Sequence, residues 1–475
     1  MANSKNIKNL DFNKKFCNSK MNFQDCENAI LKNVLKENEK KVEDVKVMNQ
    51  DIKKLISIVE NFIRKKKLIC YGGIAINNVL PKYDQFYGKE TKIPDYDFYS
   101  PNPIEDAKEL ADIYYKNGYT EVEAKSGVHY GTFKVFVNVI SIADITLLHN
   151  DIFKQLSKET IQKNGIHYAP PNFLRMSAYL ELSRPKGEPK RWEKILPRLH
   201  LLNKHYPMSA SECTEEEFNN KKKLDEDTNT LIRDTLIDNG VVFFGGYATL
   251  LYSKFMKDEE KNLIQDVPDY DIISEDIDTT AKILKETLKN QEQKYKIELV
   301  KHKKIGEIIG DHIELKVNNK SIVYIYKPVA CHNYNRINIE GKEVNIATIE
   351  TILSFYLAFI SIKSPYYNIE RLSCLSAFYI NILSTKGLVQ KNILKRFEIN
   401  CIGKQKTLTQ IKGEKASKHK EFLNKKINPN SRQYKMWFLK YTPGRKNYTQ
   451  KKSKTKNKTM KNSQTYNSSV SKFLF

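Results

Sequence analysis

The chain has 475 residues, 40% apolar and 29% charged, which is enough apolar material for real cores and a length that suggests two to four domains. That composition excludes a chain disordered throughout. The formal charge of +24 is unevenly placed: residues 401–475 carry 20 Lys/Arg against 2 Asp/Glu, while the first 400 residues hold 60 against 54, so the tail suits either a polyanionic partner or a solubilising role.

Residues 1–62 open with MANSKNIKNLDF, which has no apolar stretch of the signal-peptide kind, and continue with Leu31, Val34 and Leu35 at helical spacing. An N-terminal helical segment is expected there. From about residue 63 a pattern begins that occurs twice. The first copy reads YGGIAINNVL (71–80) and then PDYDFYS (94–100); the second reads FGGYATLLYS (244–253) and then PDYDIIS (268–274). Gly73 to Asp95 spans 22 positions and Gly246 to Asp269 spans 23. The same words at nearly the same spacing describe one module present twice.

Each copy follows the same local logic. A short apolar run (66–71; 241–244) reads as a buried strand, and a Gly pair and an apolar helical stretch follow. In Pro-Asp-Tyr-Asp, strand alternation puts both Asp side chains on one face and Tyr on the other. A helix (103–116; 279–290) and two strands (132–139 and 141–146; 313–317 and 321–326) complete each copy, so the class is α/β (α+β) with a mixed sheet. Helices are expected beyond each copy, at 171–182 and 190–202 and again at 346–359 and 368–383. The longest apolar run, 351–362, reads as a buried helix too short to span a membrane. The chain thus divides as 1–62, helical; 63–155, first module; 156–225, helical; 226–330, second module; 331–426, helical; and 427–475, a Lys-, Asn-, Ser- and Thr-rich basic tail expected to be largely disordered. Seven Cys, odd in number and widely spaced without C-x-x-C, argue against a zinc site or a disulfide framework and fit a reducing compartment.

Three elements of the first copy suggest chemistry. Gly72-Gly73 between a strand and a helix brings backbone N–H groups to an anion such as a triphosphate, although Gly pairs end strands in many folds. Asp95 and Asp97 on one strand face repel each other unless a hard cation such as Mg²⁺ neutralises them; Pro-Asp-Tyr-Asp is also good turn chemistry. Asp144 lies inside the apolar run 140–146, where a lone acid is disfavoured unless it faces the other two. Three such acids can hold two metal ions and clamp both oxygens of an in-line displacement. In the second copy, Asp269 and Asp271 persist, but Tyr324 falls opposite Asp144 when the third strands are aligned, so that copy is expected to be structural or RNA-guiding. Among basic residues, Arg175, Lys186, Lys190, Arg191, Lys194 and Arg198 are candidates for the triphosphate or RNA backbone, and Tyr179 and Trp192 for base stacking.

Gly72-Gly73, Asp95-x-Asp97 and Asp144 together resemble the DNA polymerase β-type nucleotidyltransferase superfamily. The nearer resemblance is carried by YGGIAIN, PDYDFYS, HYAPPNFLRMSAYLELSRP and RWEKILPRLHLL, from about residue 60 to 400. It is to the poly(A) polymerase catalytic subunits of large cytoplasmic DNA viruses of the Mimivirus kind, related to the poxvirus enzyme. The resemblance implies two tandem nucleotidyltransferase modules with only the first active, and two Mg²⁺ (or Mn²⁺) ions on Asp95, Asp97 and Asp144. It implies ATP held by Gly72, Gly73, Arg175 and Lys194, and transfer of AMP to the 3′-OH of single-stranded mRNA. A homodimer (or, as in poxviruses, a viral processivity partner), no membrane association, and a place in the host cytoplasm or virion are further expectations. Uridylyl or CCA addition, or a non-catalytic RNA-binding scaffold, are the alternatives.

Overall fold

The computed structural model describes residues 50–87, 95–209, 213–218, 224–291 except 265 and 268, and 295–444 except 307, together with residue 21 and short stretches between 25 and 33. Val34, Leu35 and residues 445–475 of the expected tail lie outside them. Residues up to Pro443 form one compact unit.

Helix α1 (Gln50–Lys66) buries Leu55, Val59, Phe62 and Ile63, the i, i+4, i+7, i+8 stripe of a helix with one apolar face. It ends at Lys67, whose left-handed backbone (φ 52°) turns the chain into β1 (Ile69–Cys70). Helix α2 (Gly72–Val79) follows at once, and then β2 (Tyr96–Ser100). Helix α3 (Pro103–Lys116) starts with Pro at its first turn and with Glu105 and Asp106 near its N-terminus, where missing N–H groups and negative charge are both favoured. Strands β3 (Val122–Ser126), β4 (Thr132–Val137) and β5 (Ile140–Leu147) come next. After α4 (Asn150–Ser157), a hairpin of β6 (Ile161–Lys163) and β7 (Ile166–Tyr168) leads into α5 (Pro171–Leu182) and α6 (Trp192–His205).

The second copy repeats this plan: α7 (Glu226–Asp238), β8 (Val242–Phe243), α8 (Gly246–Ser253), β9 (Tyr270–Ile273), α9 (Ile277–Lys289), β10 (Ile297–His302), β11 (His312–Val317) and β12 (Lys320–Tyr326). A hairpin of β13 (His332–Ile339) and β14 (Lys342–Ala347) then leads into α10 (Ile349–Ile362) and α11 (Ile369–Lys386). The chain closes with β15 (Cys401–Ile402), α12 (Leu408–Asn424), α13 (Arg432–Phe438) and β16 (Lys440–Tyr441).

Among the described residues there are two eight-stranded mixed sheets. Their orders are β16-β3-β4-β5-β2-β1-β7-β6 and β10-β11-β12-β9-β8-β14-β13-β15. From β3 to β7 and from β10 to β14 the order is the same, and so is every strand direction: β2 runs parallel to β5 as β9 does to β12, and β1 parallel to β7 as β8 does to β14. The correspondence reaches single residues. The β4–β5 turn, Asn138-Val139, and the β11–β12 turn, Asn318-Asn319, both sit in the left-handed region that two-residue hairpins require. Both hairpins also slip register at the equivalent place, Val135/Phe136 and Leu315/Lys316. The repeat therefore extends through strands whose sequences share little. Helix α5 packs on α10, its counterpart. Ile352, Leu353, Leu357 and Phe359 of α10 are fully enclosed, and no described helix is long and apolar enough to cross a membrane.

The structure departs from the sequence-based expectations in three places. The hairpin β6–β7 extends the first sheet into the segment expected to be helical from 156. Strands β13, β14 and β15 likewise extend the second sheet into the helical segment expected from 331. The basic tail expected to be largely disordered from 427 contains helix α13 and strand β16, because Met436 and Leu439 are buried and β16 pairs with the edge strand β3. Averaged composition hid those few apolar anchors among the lysines. The cysteines also differ from expectation. Cys213 is bonded to Cys374 and Cys331 to Cys401 across 161 and 70 residues of sequence, with Cα–Cα separations of 5.9 and 5.3 Å; Cys26 is also disulfide-bonded, and Cys70 is free and buried. Spacing along the chain does not report which thiols the fold brings together.

Candidate active site

The central strands of the first sheet collect the three acids. On β2 the burial alternates: Tyr96, Phe98 and Ser100 enter the core, and Asp97 and Tyr99 face the other side. Tyr96 anchors the strand from below, its hydroxyl donating to Glu60 Oε1 on α1 at 2.6 Å. Asp95, two residues before Asp97, shares its face and lies at the exposed mouth. Strand β5 runs parallel beside β2 with Asp144 directly opposite Asp97, so neighbouring strands ~4.8 Å apart present both carboxylates on one face. All three sequence-identified acids are thus brought together.

This concentration of like charge carries an electrostatic cost. Burial, followed by the Asp144 and Asp95 charges, pushes the Asp97 carboxyl up from 3.8 to about 7. Asp95, though solvent-accessible at its edge, has protein packed closely about its carboxyl, and this desolvation and then the Asp144 charge push it up to about 6. Two cations offset this at Asp97, Lys134 first and then Arg191. Lys134 on β4 lies opposite Asp144 in register, and its Nζ donates to Asp144 Oδ1 at 2.7 Å and Oδ2 at 2.5 Å. The three acids form a hard, oxygen-only donor set in which Asp95 and Asp97 are destabilised by burial and like charge, which is the environment a Mg²⁺ or Mn²⁺ ion fits. As the side chains stand, no three His, Cys, Asp or Glu among the described residues are close enough to hold one ion. The Lys134 ammonium draws Asp144 to itself, so Asp144 can serve as a metal ligand only when that ion pair opens. Lys134 was not singled out from the sequence; the alternation through Phe133-Lys134-Val135 across the Asn138 turn is the signal that places it opposite Asp144.

The Gly pair closes the other side. Gly72 has φ +69°, and a Cβ there would lie 2.8 Å from Asp97 Oδ2, so only glycine lets the turn approach the carboxylate. A Cβ at Gly73 would meet the Tyr87 hydroxyl at 2.4 Å and Arg198 Nη1 at 2.6 Å. Arg198 on α6 donates to Tyr87 at 3.0 Å and stacks on Phe86, 4.5 Å from the ring centroid. Lys194, exposed one turn earlier on α6, shares the Arg198 face at i, i+4.

Arg175 is placed elsewhere. Its guanidinium is 1% exposed and bonds to Asn172, Asn203 and the Leu202 carbonyl, clamping α5 to α6, and burial lowers it to about 10. Of the basic residues weighed, Arg198 is the one at the Gly pair, and Arg175 is structural. Tyr179 is fully buried, and Trp192 donates to the Glu181 carbonyl and packs on Phe397; both belong to the packing.

In the second copy the register reproduces the alignment: Tyr324 lies opposite Asp271 as Asp144 lies opposite Asp97. Glu314, not identified from the sequence, takes the place of Lys134, so the acid–base pair is replaced by Tyr–Glu. Glu314 is bound to His302 Nε2 at 3.0 Å and to the Ser321 hydroxyl. Asp271 is 4% exposed and accepts a 2.6 Å bond from Tyr367. The remaining cleft, about 140 Å³, is roofed by Tyr356, Tyr366 and Tyr367.

Residues 57–188, the segment holding all three acids, match the family described as poly(A) polymerase catalytic subunit. An Acanthamoeba polyphaga mimivirus protein assigned as a poly(A) polymerase catalytic subunit is 25% identical over 406 residues, 75% of this chain and 68% of that one. An African swine fever virus protein with the same assignment is 33% identical over 164 residues, about a third of each chain. The crystal structure of the Megavirus polyadenylate synthase superposes with a TM-score of 0.70 at 22% identity, covering 91% of this chain and 88% of that one. Fold and family likeness thus meet on the strands that carry the carboxylates: the segment that holds them is similar to viral poly(A) polymerase catalytic subunits, and the chain shares the fold of the Megavirus polyadenylate synthase.

Proposed function

We propose that the chain is a template-independent polynucleotide adenylyltransferase that extends the 3′-OH of mRNA with AMP from ATP. The observation that carries this reading is the register of Asp97 against Asp144, with Asp95 beside them and the Gly72-Gly73 turn pressed against Asp97. Asp95 and Asp97 would hold two divalent ions, with Asp144 joining them once Lys134 withdraws. When bound, such ions lower the pKa of an attacking hydroxyl and neutralise the leaving pyrophosphate. Asp144 orients the RNA 3′-OH and accepts its proton. Backbone N–H groups at the start of α2 receive the triphosphate, and Arg198, with Lys194 beside it, supplies positive charge where it develops in transfer. The second module carries no such set, and its role is structural or RNA-guiding. Preference for adenine rests on the relatives' assignments. A homodimer or a viral processivity partner, and a site of action in the host cytoplasm or virion, are part of the same proposal.

The test is extension of a labelled RNA with Mg²⁺ or Mn²⁺ and each NTP in turn, for wild type and Asp144→Ala. Tails from ATP alone, absent in the variant while RNA binding persists, are expected. Tails from UTP or CTP would replace adenylyl by uridylyl or CCA-type transfer. RNA binding without any extension would leave a scaffold.

A further inference from the structure

A cleft of about 520 Å³ opens beside the carboxylates, between the β3–β4 connection, β4 and the C-terminal helices. Its lining holds Lys125, Lys134, Lys412, Lys415 and Lys420, with His419 and Phe438, and no carboxylate. Lys134 joins it to the active site, since the same side chain that lines the cleft binds Asp144. Lys415 fixes the wall: its Nζ donates to the Ser126 hydroxyl at 3.0 Å and the Gly127 carbonyl at 2.7 Å. The β16 strand secures the other side, with Ser126 N–H donating to the Leu439 carbonyl at 3.0 Å and the Ser126 hydroxyl to the Trp437 carbonyl at 2.7 Å. Tyr130 and Trp437, 4.7 Å apart, stand beside it. Lys412 and Lys420 are exposed and have no carboxylate partner among the described residues.

We propose that this cleft is the track along which the 3′-terminal nucleotides of single-stranded RNA reach the carboxylates, with Lys412 and Lys420 on its phosphates and Lys134 at its inner end. The inference rests on the nucleotidyltransferase reading above. Three features favour RNA over other polyanions: a groove lined by five lysines and no carboxylate, of which only Lys125 and Lys134 are paired with acids among the described residues (Glu123 and Asp144), an aromatic ring in the wall, and direct continuity with the acids that would activate a 3′-OH. A strand phosphate drawing Lys134 toward the cleft would release Asp144, so that RNA entry and metal binding would assist each other.

The test uses the full chain carrying Lys412→Glu/Lys420→Glu, with Lys412→Ala/Lys420→Ala as a second variant. A short fluorescein-labelled oligo(A) RNA is titrated over a range of salt, and tailing is measured against RNA concentration. Each phosphate contact on a single strand contributes about 0.7 to the salt slope. The Ala pair should therefore lower the slope by about 1.4, and the Glu pair by at least as much. KM for RNA should rise about tenfold, with kcat at saturating RNA within about twofold of wild type and an unchanged melting temperature. An unchanged slope and KM in both variants would overturn the track. So would displacement of the RNA by polyglutamate as readily as by poly(A). If wild type binds RNA but adds nothing to it, the function reading fails, and the slope still decides the track.

Discussion

Asp97 is predicted to weaken the fold that holds it. A carboxyl raised from 3.8 to about 7, at ~1.4 kcal/mol per tenfold, corresponds to about 4 kcal/mol, an upper bound because Asp95 and Asp144 share the repulsion. The sign follows from proton binding. Between pH ~4 and ~7 the folded chain holds a proton at Asp97 that the unfolded chain has lost, so stability falls as pH rises through that window, and the penalty is complete above pH ~7. Asp97→Asn removes the charge with nearly the same shape. In EDTA at pH 8 it should raise the melting temperature by about 3–6 °C, taking ~2 °C per kcal/mol, and the gain should shrink toward zero near pH 4.5. Added Mn²⁺ should stabilise wild type and leave Asp97→Asn unmoved. The assay is a thermal melt of both proteins over pH, with and without metal. An Asn variant that is less stable than wild type at pH 8 in EDTA would refute the reasoning, since Asp97 would then be a well-satisfied structural group.

The two arginines should separate function from packing: Arg198→Ala should raise KM for ATP about tenfold with little change in melting temperature, whereas Arg175→Met should cost about 2–4 kcal/mol by stranding the half-buried Asn172 and Asn203 and the Leu202 carbonyl; steady-state kinetics and melts distinguish them. Gly73→Ala should weaken ATP binding, because a Cβ there would displace Tyr87 and Arg198; isothermal titration with a non-hydrolysable ATP reads it. In the second module, Tyr367→Phe removes the 2.6 Å bond to buried Asp271 and should destabilise by about 1–3 kcal/mol while tailing rates stay within about twofold.

The doubled module was legible because its chemistry is local. Gly72-Gly73, Asp95 and Asp97 lie in words repeated nearly unchanged, and Tyr324 aligns with Asp144 because Val317-Asn318 matches Val137-Asn138 ahead of both third strands. The class of the sheet followed from the alternation in Asp95-Tyr96-Asp97 and in the paired hairpins. What escaped was set by long-range contact. Lys134 and Glu314 are ordinary strand residues until register places them against Asp144 and Tyr324. Arg175 and Arg198 have the same helical surroundings in sequence, and only the packing of α5 on α6 buries one and turns the other toward Gly73. The pairing of β16 with β3 depends on Met436 and Leu439, two apolar residues in a lysine-rich stretch whose mean composition pointed to disorder.

The central claim is that nucleotide addition belongs to the first module alone, and it is tested most directly by single-nucleotide extension of a labelled RNA with ATP and Mg²⁺. Wild type, Asp97→Asn and Asp271→Asn would be compared. The account predicts extension by wild type and Asp271→Asn at similar rates, and a loss of at least about a thousandfold in Asp97→Asn. Extension by Asp97→Asn, or its abolition by Asp271→Asn in a folded protein, would contradict it.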